Sequence, residues 1–472
     1  MRYLAADFGS TYTKLTAVDA GAQGGPAVVG TASAFTTISS DVMEGYALAR
    51  ERLERQCPGF VHDRLLCCSS AAGGLAMVAV GLVPDLTVKA ARMAAEGAGA
   101  KVLAAYGYEL SRREQEAIAR AAPDIVLLCG GTDGGNKDVL LANARRLCAI
   151  DGDFFLIAAG NKSADRELEA LLAASGRPYV ITGNVMPAFG RLDVAPARRC
   201  IRDIFIERII DAKGLAGAQA MSDLPIIPTP LAVLKACEAL SLGVGDRAGW
   251  GDFMAVDLGG ATTDVYSMAS GEPTMDNVML KGLPEPFAKR TVEGDLGMRY
   301  GAGFLLDAAT AEFVAGDCGA TPEAVTDWVA KCTARPDTLA PENSAERALD
   351  EALARSAVRL AVERHCGFFE KAYSPVGELY TLTGKDLSAV PRLVGIGGVL
   401  VHSAAPAAIL AGAVASPETL ARGLAMPRSP AFFLDSRYIF SAMGLISQVD
   451  PGLALCLMQK EIKPVPEGKH GS

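Results

Sequence analysis

Asp7-Phe-Gly-Ser-Thr-Tyr-Thr-Lys14, near the start of the chain, returns 250 residues later as Asp257-Leu-Gly-Gly-Ala-Thr-Thr-Asp264. Each copy follows an apolar run and leads into a second run with β-branched residues and period-two patterning. Strand, Gly/Ser/Thr turn and strand together read as a hairpin. The spacing predicts strands over 3–8 and 14–19, and again over 253–257 and 263–268. One such turn is most often only a turn. Two of them, each led by an aspartate at a strand end, point to a duplicated half-domain with a site at the pseudo-twofold between the copies.

Working outward, a third strand is expected near 28–35, a helix over 42–56 and a strand over 65–70. From 84 to 188 the texture changes. Helices over 87–96, 111–121, 138–150 and 164–174 alternate with strands over 101–106, 125–129, 154–158 and 179–182. Strands apolar throughout, separated by amphipathic helices, predict a parallel sheet covered on both faces. A long helix over 195–213 and a Gly/Pro-rich linker over 214–230 lead back. After the second hairpin, helices are expected over 321–373, then a strand over 393–396 and further helices. The expected division is 1–83 as a first half, 84–190 as an inserted α/β subdomain, 191–250 as return helix, linker and connecting helix, and 251–472 as a second half.

Composition agrees with a globular α/β enzyme-like protein. At about 150 residues per domain, 472 residues make roughly three compact units. Half the residues are hydrophobic, 21% are charged and 50 are glycine, which suits tightly packed layers rather than disorder. A net charge of -9 and a pI near 5.2 argue against a nucleic-acid surface. Eleven scattered cysteines without a CxxC fit reduced thiols in a cytoplasm, and four separated histidines give no zinc spacing. Asp7 stands where a signal peptide needs its apolar core. The longest uncharged apolar runs, 71–83 and 404–415, are too short to span a bilayer.

The hairpins carry the chemistry. A nucleoside triphosphate with Mg2+ needs backbone N–H groups that approach its oxygens closely and a carboxylate for the metal's water shell. Asp7, at a strand end, suits hydrated magnesium. Gly9, Ser10 and Thr11, followed by Tyr12 and Thr13, suit a phosphate cradle, and Lys14 adds positive charge. On the second hairpin Asp257 suits orientation or deprotonation of an attacking water and a share of the magnesium's water shell. Gly259, Gly260, Ala261, Thr262 and Thr263 suit the γ-phosphate. A third element, Val394-Gly395-Ile396-Gly397-Gly398-Val399, whose first glycine follows Asp257 by 138 residues, joins a strand to a helix. Gly395, Gly397, Gly398 and Val399 there let backbone lie against adenine or ribose. Glu293, Asp295 and Arg299 lie in sequence between these motifs; they reach the nucleotide or only cap a helix.

The three motifs, in this order, resemble those of the actin, Hsp70 and sugar-kinase ATPase superfamily: phosphate 1, phosphate 2 and adenosine. Pro230-Leu-Ala-Val-Leu-Lys-Ala-Cys-Glu-Ala-Leu240 is similar to its first connecting helix and Tyr438-Ile-Phe-Ser-Ala-Met-Gly444 to its second. The resemblance implies two duplicated RNase H-like halves around a nucleotide cleft, interrupted by the parallel α/β insert. More narrowly, Asp7 to Lys14, Ser70-Ala-Ala-Gly-Gly-Leu75, Gly130-Gly-Thr-Asp-Gly-Gly135 and Thr291-Val-Glu-Gly-Asp-Leu-Gly297 resemble the GlmL family, also called MutL. These are accessory proteins for adenosylcobalamin-dependent glutamate mutase.

That resemblance implies ATP and Mg2+ as cofactors, weak ATPase activity, mutase subunits as partners and a chaperone-like, reactivating role. It leaves the oligomeric state open. Two other functions stay in play: a small-molecule kinase, for which no base for a substrate hydroxyl is assignable, and a non-hydrolysing, nucleotide-bound assembly scaffold. No cysteine pair has the spacing of the iron-sulfur activators built on the same fold. In the insert, Gly130 to Asn136, Gly160-Asn161-Lys162 and Gly183-Asn184 all follow strands. They should gather at the carboxyl edge of the sheet, as a partner-docking surface or as simple strand ends and helix caps.

Overall fold

The protein is described by a computed structural model over residues 1–37, 41–70, 75–212, 215–374 and 377–465. Part of the Ser70 to Leu75 motif, residues 71–74, and the C-terminal tail lie outside the described residues. The chain forms two compact units, Met1–Gly21 with Val28–Ala232, and Ala22–Ala27 with Val233–Ser472.

The first unit begins with β1 (Arg2–Phe8), β2 (Tyr12–Asp19), β3 (Ala27–Phe35), α1 (Val42–Gln56) and β4 (Arg64–Ser69). Leu4, Ala6 and Phe8 alternate with other buried side chains, so β1 is covered on both faces. That suits a central strand. It pairs antiparallel with β2 and parallel with β4. In β3, at the sheet edge, buried and more exposed positions alternate. Helix α1 buries Val42, Gly45, Ala49 and Leu53 at helical spacing and is capped by the Asp41 carboxylate, which accepts from the Met43 N–H.

The alternating stretch contains β5 (Ala76–Val80), α2 (Lys89–Gly97), β6 (Lys101–Tyr106), α3 (Arg112–Ala121), β7 (Ile125–Leu128), α4 (Asp138–Cys148), β8 (Phe155–Ala158), α5 (Asp165–Ser175) and β9 (Tyr179–Ile181). All five strands pair in parallel, in the order β6-β5-β7-β8-β9. The parallel sheet was expected. Its strand β5 was not: it lies in the apolar run 71–83, with Met77 to Val80 buried. Among the described residues, no helix is long and apolar enough to cross a membrane.

Then come α6 (Ala195–Ala212), α7 (Ala216–Met221), β10 (Ile227–Pro228) and α8 (Thr229–Leu242). The stretch read as a linker therefore supplies a short helix and the strand that completes the first sheet, β10-β4-β1-β2-β3, with β10 parallel to β4.

The second unit adds a small hairpin, β11 (Gly243–Val244) and β12 (Arg247–Ala248), then β13 (Phe253–Leu258), β14 (Thr263–Met268), β15 (Val278–Lys281) and β16 (Ala288–Glu293). Helices α9 (Ala302–Ala309), α10 (Ala311–Cys318), α11 (Pro322–Ala334) and α12 (Ala345–His365) follow, then β17 (Phe368–Ser374), β18 (Gly377–Thr383) and β19 (Arg392–Ile396). Helices thus start earlier than 321 and stop at His365, where expectation carried them to 373. After β19 come α13 (Gly398–Val401), α14 (Pro406–Leu410), α15 (Pro417–Ala421), β20 (Ala431–Leu434), α16 (Phe440–Ile446), α17 (Pro451–Glu461) and β21 (Lys463–Pro464).

The main sheet of this unit runs β16-β14-β13-β19-β20-β21. β13, β14 and β16 are antiparallel neighbours, while β19 and β20 continue in parallel from β13. Each unit therefore contains a sheet in which an antiparallel hairpin, β1–β2 or β13–β14, is extended from its first strand by two parallel strands, β4 and β10 or β19 and β20. Leu258, Val265, Leu305, Val325, Leu353 and Leu393 join one core between the second sheet and the helices.

Candidate functional site

The two hairpins are built alike. In the first, Asp7 faces Lys14 and Phe8 faces Thr13 across the ladder; in the second, Asp257 faces Asp264 and Leu258 faces Thr263. The Gly9 N–H donates to Tyr12 O at 3.1 Å, and the Gly259 N–H donates to Thr262 O at 2.9 Å. A Cβ on Gly9 would lie 2.6 Å from Tyr12 O, and one on Gly259 2.9 Å from Thr262 O. Both turns therefore require glycine at their first position. Among the described residues, the N–H groups of Ser10, Thr11, Gly260 and Ala261 have no hydrogen-bond acceptor in the chain. Two turns with undirected amides at their tips form concavities of the kind that bind anions.

Behind each tip a threonine is fully buried. Thr13 Oγ1 shares a hydrogen bond with Thr36 Oγ1 at 3.1 Å, and Thr263 Oγ1 donates to Leu296 O at 2.6 Å. Both therefore serve the turn from behind. Tyr12 is exposed and packs edge-on against Phe35 at 5.7 Å.

The carboxylates differ in setting. Asp7 is buried at 8% exposure, and its Oδ1 accepts from Thr229 Oγ1, the first residue of α8, at 2.6 Å. Its ladder neighbour on β4 is Cys68, whose thiol burial and the Asp7 charge push well above the usual range. That thiol stays protonated and is no nucleophile. Asp257 is half-buried. Burial, then Glu238 and Asp257, likewise raises the Cys237 thiol. Asp264, opposite Asp257, is occupied differently from Lys14 in the first hairpin. Its Oδ1 accepts from Arg290 Nε at 2.8 Å and lies 2.6 Å from Arg290 Nη2, and its Oδ2 accepts from Thr262 Oγ1 at 3.1 Å.

The glycine-rich third element meets the second hairpin directly. Ile396 pairs with Asp257 in the parallel β13–β19 ladder. Gly397, at φ +101°, leaves the strand so close that a Cβ there would lie 2.4 Å from Leu258 O and 3.0 Å from Asp257 Oδ1. Gly398 opens α13, with Tyr438 Oη 3.2 Å from where its Cβ would be. Gly395 sits within β19, and its lack of a side chain is taken up by Leu400 and Leu410. Val399 packs on the core behind α13. The Gly259 to Thr262 turn and the glycine turn thus lie side by side at the carboxyl ends of β13 and β19.

Glu293 and Asp295 meet Arg364 on α12: Nη1 donates to Glu293 Oε2 at 2.8 Å, and the guanidinium spans both Asp295 oxygens at 2.8 and 2.9 Å. Arg299 is drawn away from the turn's tip to Asp350. Two site features escaped the reading of the sequence. Thr229 gives no signal, because its contact with Asp7 is 222 residues distant. Asp435 closes β20, accepts from the Ile439 and Phe440 N–H groups at 3.0 Å each, and so caps the helix read as the second connector.

In the insert, the loops after β7, β8 and β9 do gather. Asn161 accepts from the Gly134 N–H at 3.1 Å and donates to Gly135 O at 2.9 Å, and Asn184 donates to Gly131 O and Asp133 Oδ1 at 3.0 Å each. Asparagines at strand ends knit this rim from within.

Magnesium with a nucleotide needs one or two carboxylates acting through water rather than a cage of protein ligands. Among the described residues, no group of three or more Asp, Glu, His or Cys side chains forms such a cage. A strand-end carboxylate beside undirected turn amides fits the remaining requirement.

The description of the MutL protein family matches residues 3–462. Protein MutL of Clostridium tetanomorphum is 45% identical over 471 residues, covering 98% of this chain and 99% of that protein. Among solved structures, a diol dehydratase-reactivating factor in nucleotide-free form covers 95% of this chain and 99% of its own, at 12% identity and a TM-score of 0.34. A Ppx/GppA phosphatase of Aquifex aeolicus covers 98% and 95%, at 10% identity and a TM-score of 0.24. Superpositions this loose decide nothing about chemistry. The family match and the full-length relative do decide membership: this chain belongs to the MutL protein family.

Proposed function

We propose that the chain binds ATP with Mg2+ through its two hairpins and serves as a chaperone-like, reactivating accessory factor for an adenosylcobalamin-dependent mutase of the glutamate mutase type. The observation that carries the nucleotide reading is the duplicated turn: the same register, the same Gly N–H to carbonyl closure and undirected amides at both tips. The common strand plan of the two main sheets supports reading them as duplicated RNase H-like ATPase halves. In this reading Asp7 holds the metal's water shell, Ser10, Thr11, Gly260 and Ala261 donate to phosphate oxygens, and Asp257 orients the attacking water. Bound magnesium would neutralise phosphate charge; the chain positions and excludes.

The accessory role rests on membership of the family and on the resemblance to glutamate mutase accessory proteins. Hydrolysis supplies a direction: ATP and ADP must favour different states for turnover to change a partner. We assign the inserted sheet, with its rim at 130–136, 160–162 and 183–184, to docking of that partner. The test is ATP hydrolysis by the full chain, alone and with a cobalamin mutase. Magnesium-dependent ADP release, with recovery of inactivated mutase, is expected. ATP turnover absent under both conditions removes the ATPase. Turnover that requires a metabolite and phosphorylates it makes the protein a kinase. Unchanged complex formation with an Asp257→Ala chain favours a scaffold.

A further inference from the structure

The phosphate-2 turn rests on a second loop. Met298 N–H donates to Gly259 O at 3.1 Å, and the N–H groups of Arg299 and Tyr300 donate to Gly260 O at 2.8 and 3.0 Å. Gly297 lies so close beneath that a Cβ would be 2.4 Å from the Ala261 carbonyl. With its carbonyls drawn down into this loop, the turn presents the Gly260 and Ala261 N–H groups on its free side.

The supporting loop is itself tied into the helices. Arg299 Nη1 and Nη2 donate to the two oxygens of Asp350 on α12 at 3.0 and 2.9 Å, and Nη1 also donates to Met298 O at 2.7 Å. Trp328 Nε1 on α11 donates to Asp350 Oδ1 at 3.2 Å. Arg299, Asp350 and Trp328 are all largely buried. A two-pronged guanidinium–carboxylate pair away from water fixes both distance and plane. The first turn is supported differently: Thr11 O accepts from the Thr36 N–H at 2.9 Å at the end of β3.

We infer that Arg299, Asp350 and Trp328 form a strut that holds the phosphate-2 turn in its anion-binding shape. They are positioning residues, and none of them touches the nucleotide. The sequence left Arg299 either to reach the nucleotide or only to cap a helix; in this inference its guanidinium acts through the main chain beneath the turn. The functional consequence rests on the ATP reading, but the mechanical claim does not. Loss of the Asp350 charge frees the loop, and the Gly260 and Ala261 amides lose their common aim. Ligand affinity then falls without any contact to the ligand being removed.

The experiment compares full-length wild type, Asp350→Asn, and Val325→Ala. The last truncates a fully buried core residue of α11 outside the strut. Amide hydrogen exchange of the 258–264 segment is followed in nucleotide-free protein, Mg·ATP binding by titration, and stability by denaturant. Asp350→Asn is expected to speed exchange in that segment and weaken Mg·ATP about tenfold or more, the factor implied by losing a charge-assisted hydrogen bond. Val325→Ala is expected to lower stability while leaving both unchanged. Local exchange in Asp350→Asn equal to that in wild type or in Val325→Ala overturns the strut. Wild type that binds no Mg·ATP overturns the ATP reading, and the exchange comparison still decides the strut. If Asp350→Asn does not fold, Trp328→Phe, which removes one donor to Asp350, is judged by the same readouts.

Discussion

Removing the Asp264 carboxylate should be among the most damaging single changes in the second unit. Arg290 is 4% exposed, and two of its nitrogens lie within 2.8 Å of Asp264 Oδ1. Asp264→Ala removes the carboxylate that both of these nitrogens approach and releases the Thr262 hydroxyl from Oδ2. Removing one partner of a buried ion pair costs about 3–5 kcal/mol. The neutral double replacement Asp264→Leu with Arg290→Met removes both charges together and should recover most of that loss. Both tryptophans, Trp250 and Trp328, belong to the second unit, so denaturant unfolding followed by tryptophan emission reports on that unit. The single variant is expected to shift the transition strongly, and the double variant to restore it. A loss below about 1 kcal/mol for Asp264→Ala, the level of an exposed pair, or a double variant no more stable than the single, would refute the argument that burial makes this pair consequential.

Gly397→Ala forces a side chain into a φ of +101° and against Leu258 O. It should cost about 1–3 kcal/mol of backbone strain and weaken Mg·ATP, whereas unchanged unfolding and binding would show that the close approach matters little. Lys385 is fully buried, with its Nζ donating to Phe287 O at 2.8 Å and Pro286 O at 3.1 Å. Burial first, then Lys289, pulls its pKa from 10.5 down to about 7, against Glu285 and Asp252. The unfolded chain then binds the extra proton between those values, so stability rises as pH climbs from about 7 towards 10.5. Lys385→Met should flatten that rise in denaturant midpoints at pH 7, 8.5 and 10 (about 7–10.5 being the window); an identical slope would contradict it. Thr229→Val removes the hydroxyl that orients Asp7 and should raise the magnesium needed for half-maximal ATP binding about tenfold, as for other groups that orient a metal ligand. An unchanged magnesium requirement would mean that Asp7 needs no such help.

The hairpins were legible because a strand-end aspartate, a glycine and β-branched residues at fixed spacing specify local structure. The long helix from Ala195 and the alternating α/β stretch were legible for the same reason. What escaped depends on distant partners. β16 reads as polar, Ala-Lys-Arg-Thr-Val-Glu, yet it is a sheet strand because Arg290 finds Asp264 and Thr291 Oγ1 meets His365 Nδ1 at 2.8 Å. The helical region expected to run to 373 stops at His365, where Gly367 is pressed against the backbone of Thr383 and Lys385 and the chain turns into a hairpin. β5, alanine-rich and short, lacks a period that separates strand from helix. The strut joining Arg299 to Asp350 spans 51 residues. No local pattern encodes such a pair.

Calorimetric titration of the full-length chain with ATP in the presence of magnesium tests the central claim most directly, run beside Asp7→Ala and Asp257→Ala. The account predicts saturable, magnesium-dependent binding by wild type. It predicts a marked loss of binding in Asp7→Ala, and binding largely kept but turnover abolished in Asp257→Ala. Wild type that takes up no Mg·ATP, or equal loss of binding in the two variants, would contradict the roles assigned to the paired hairpins.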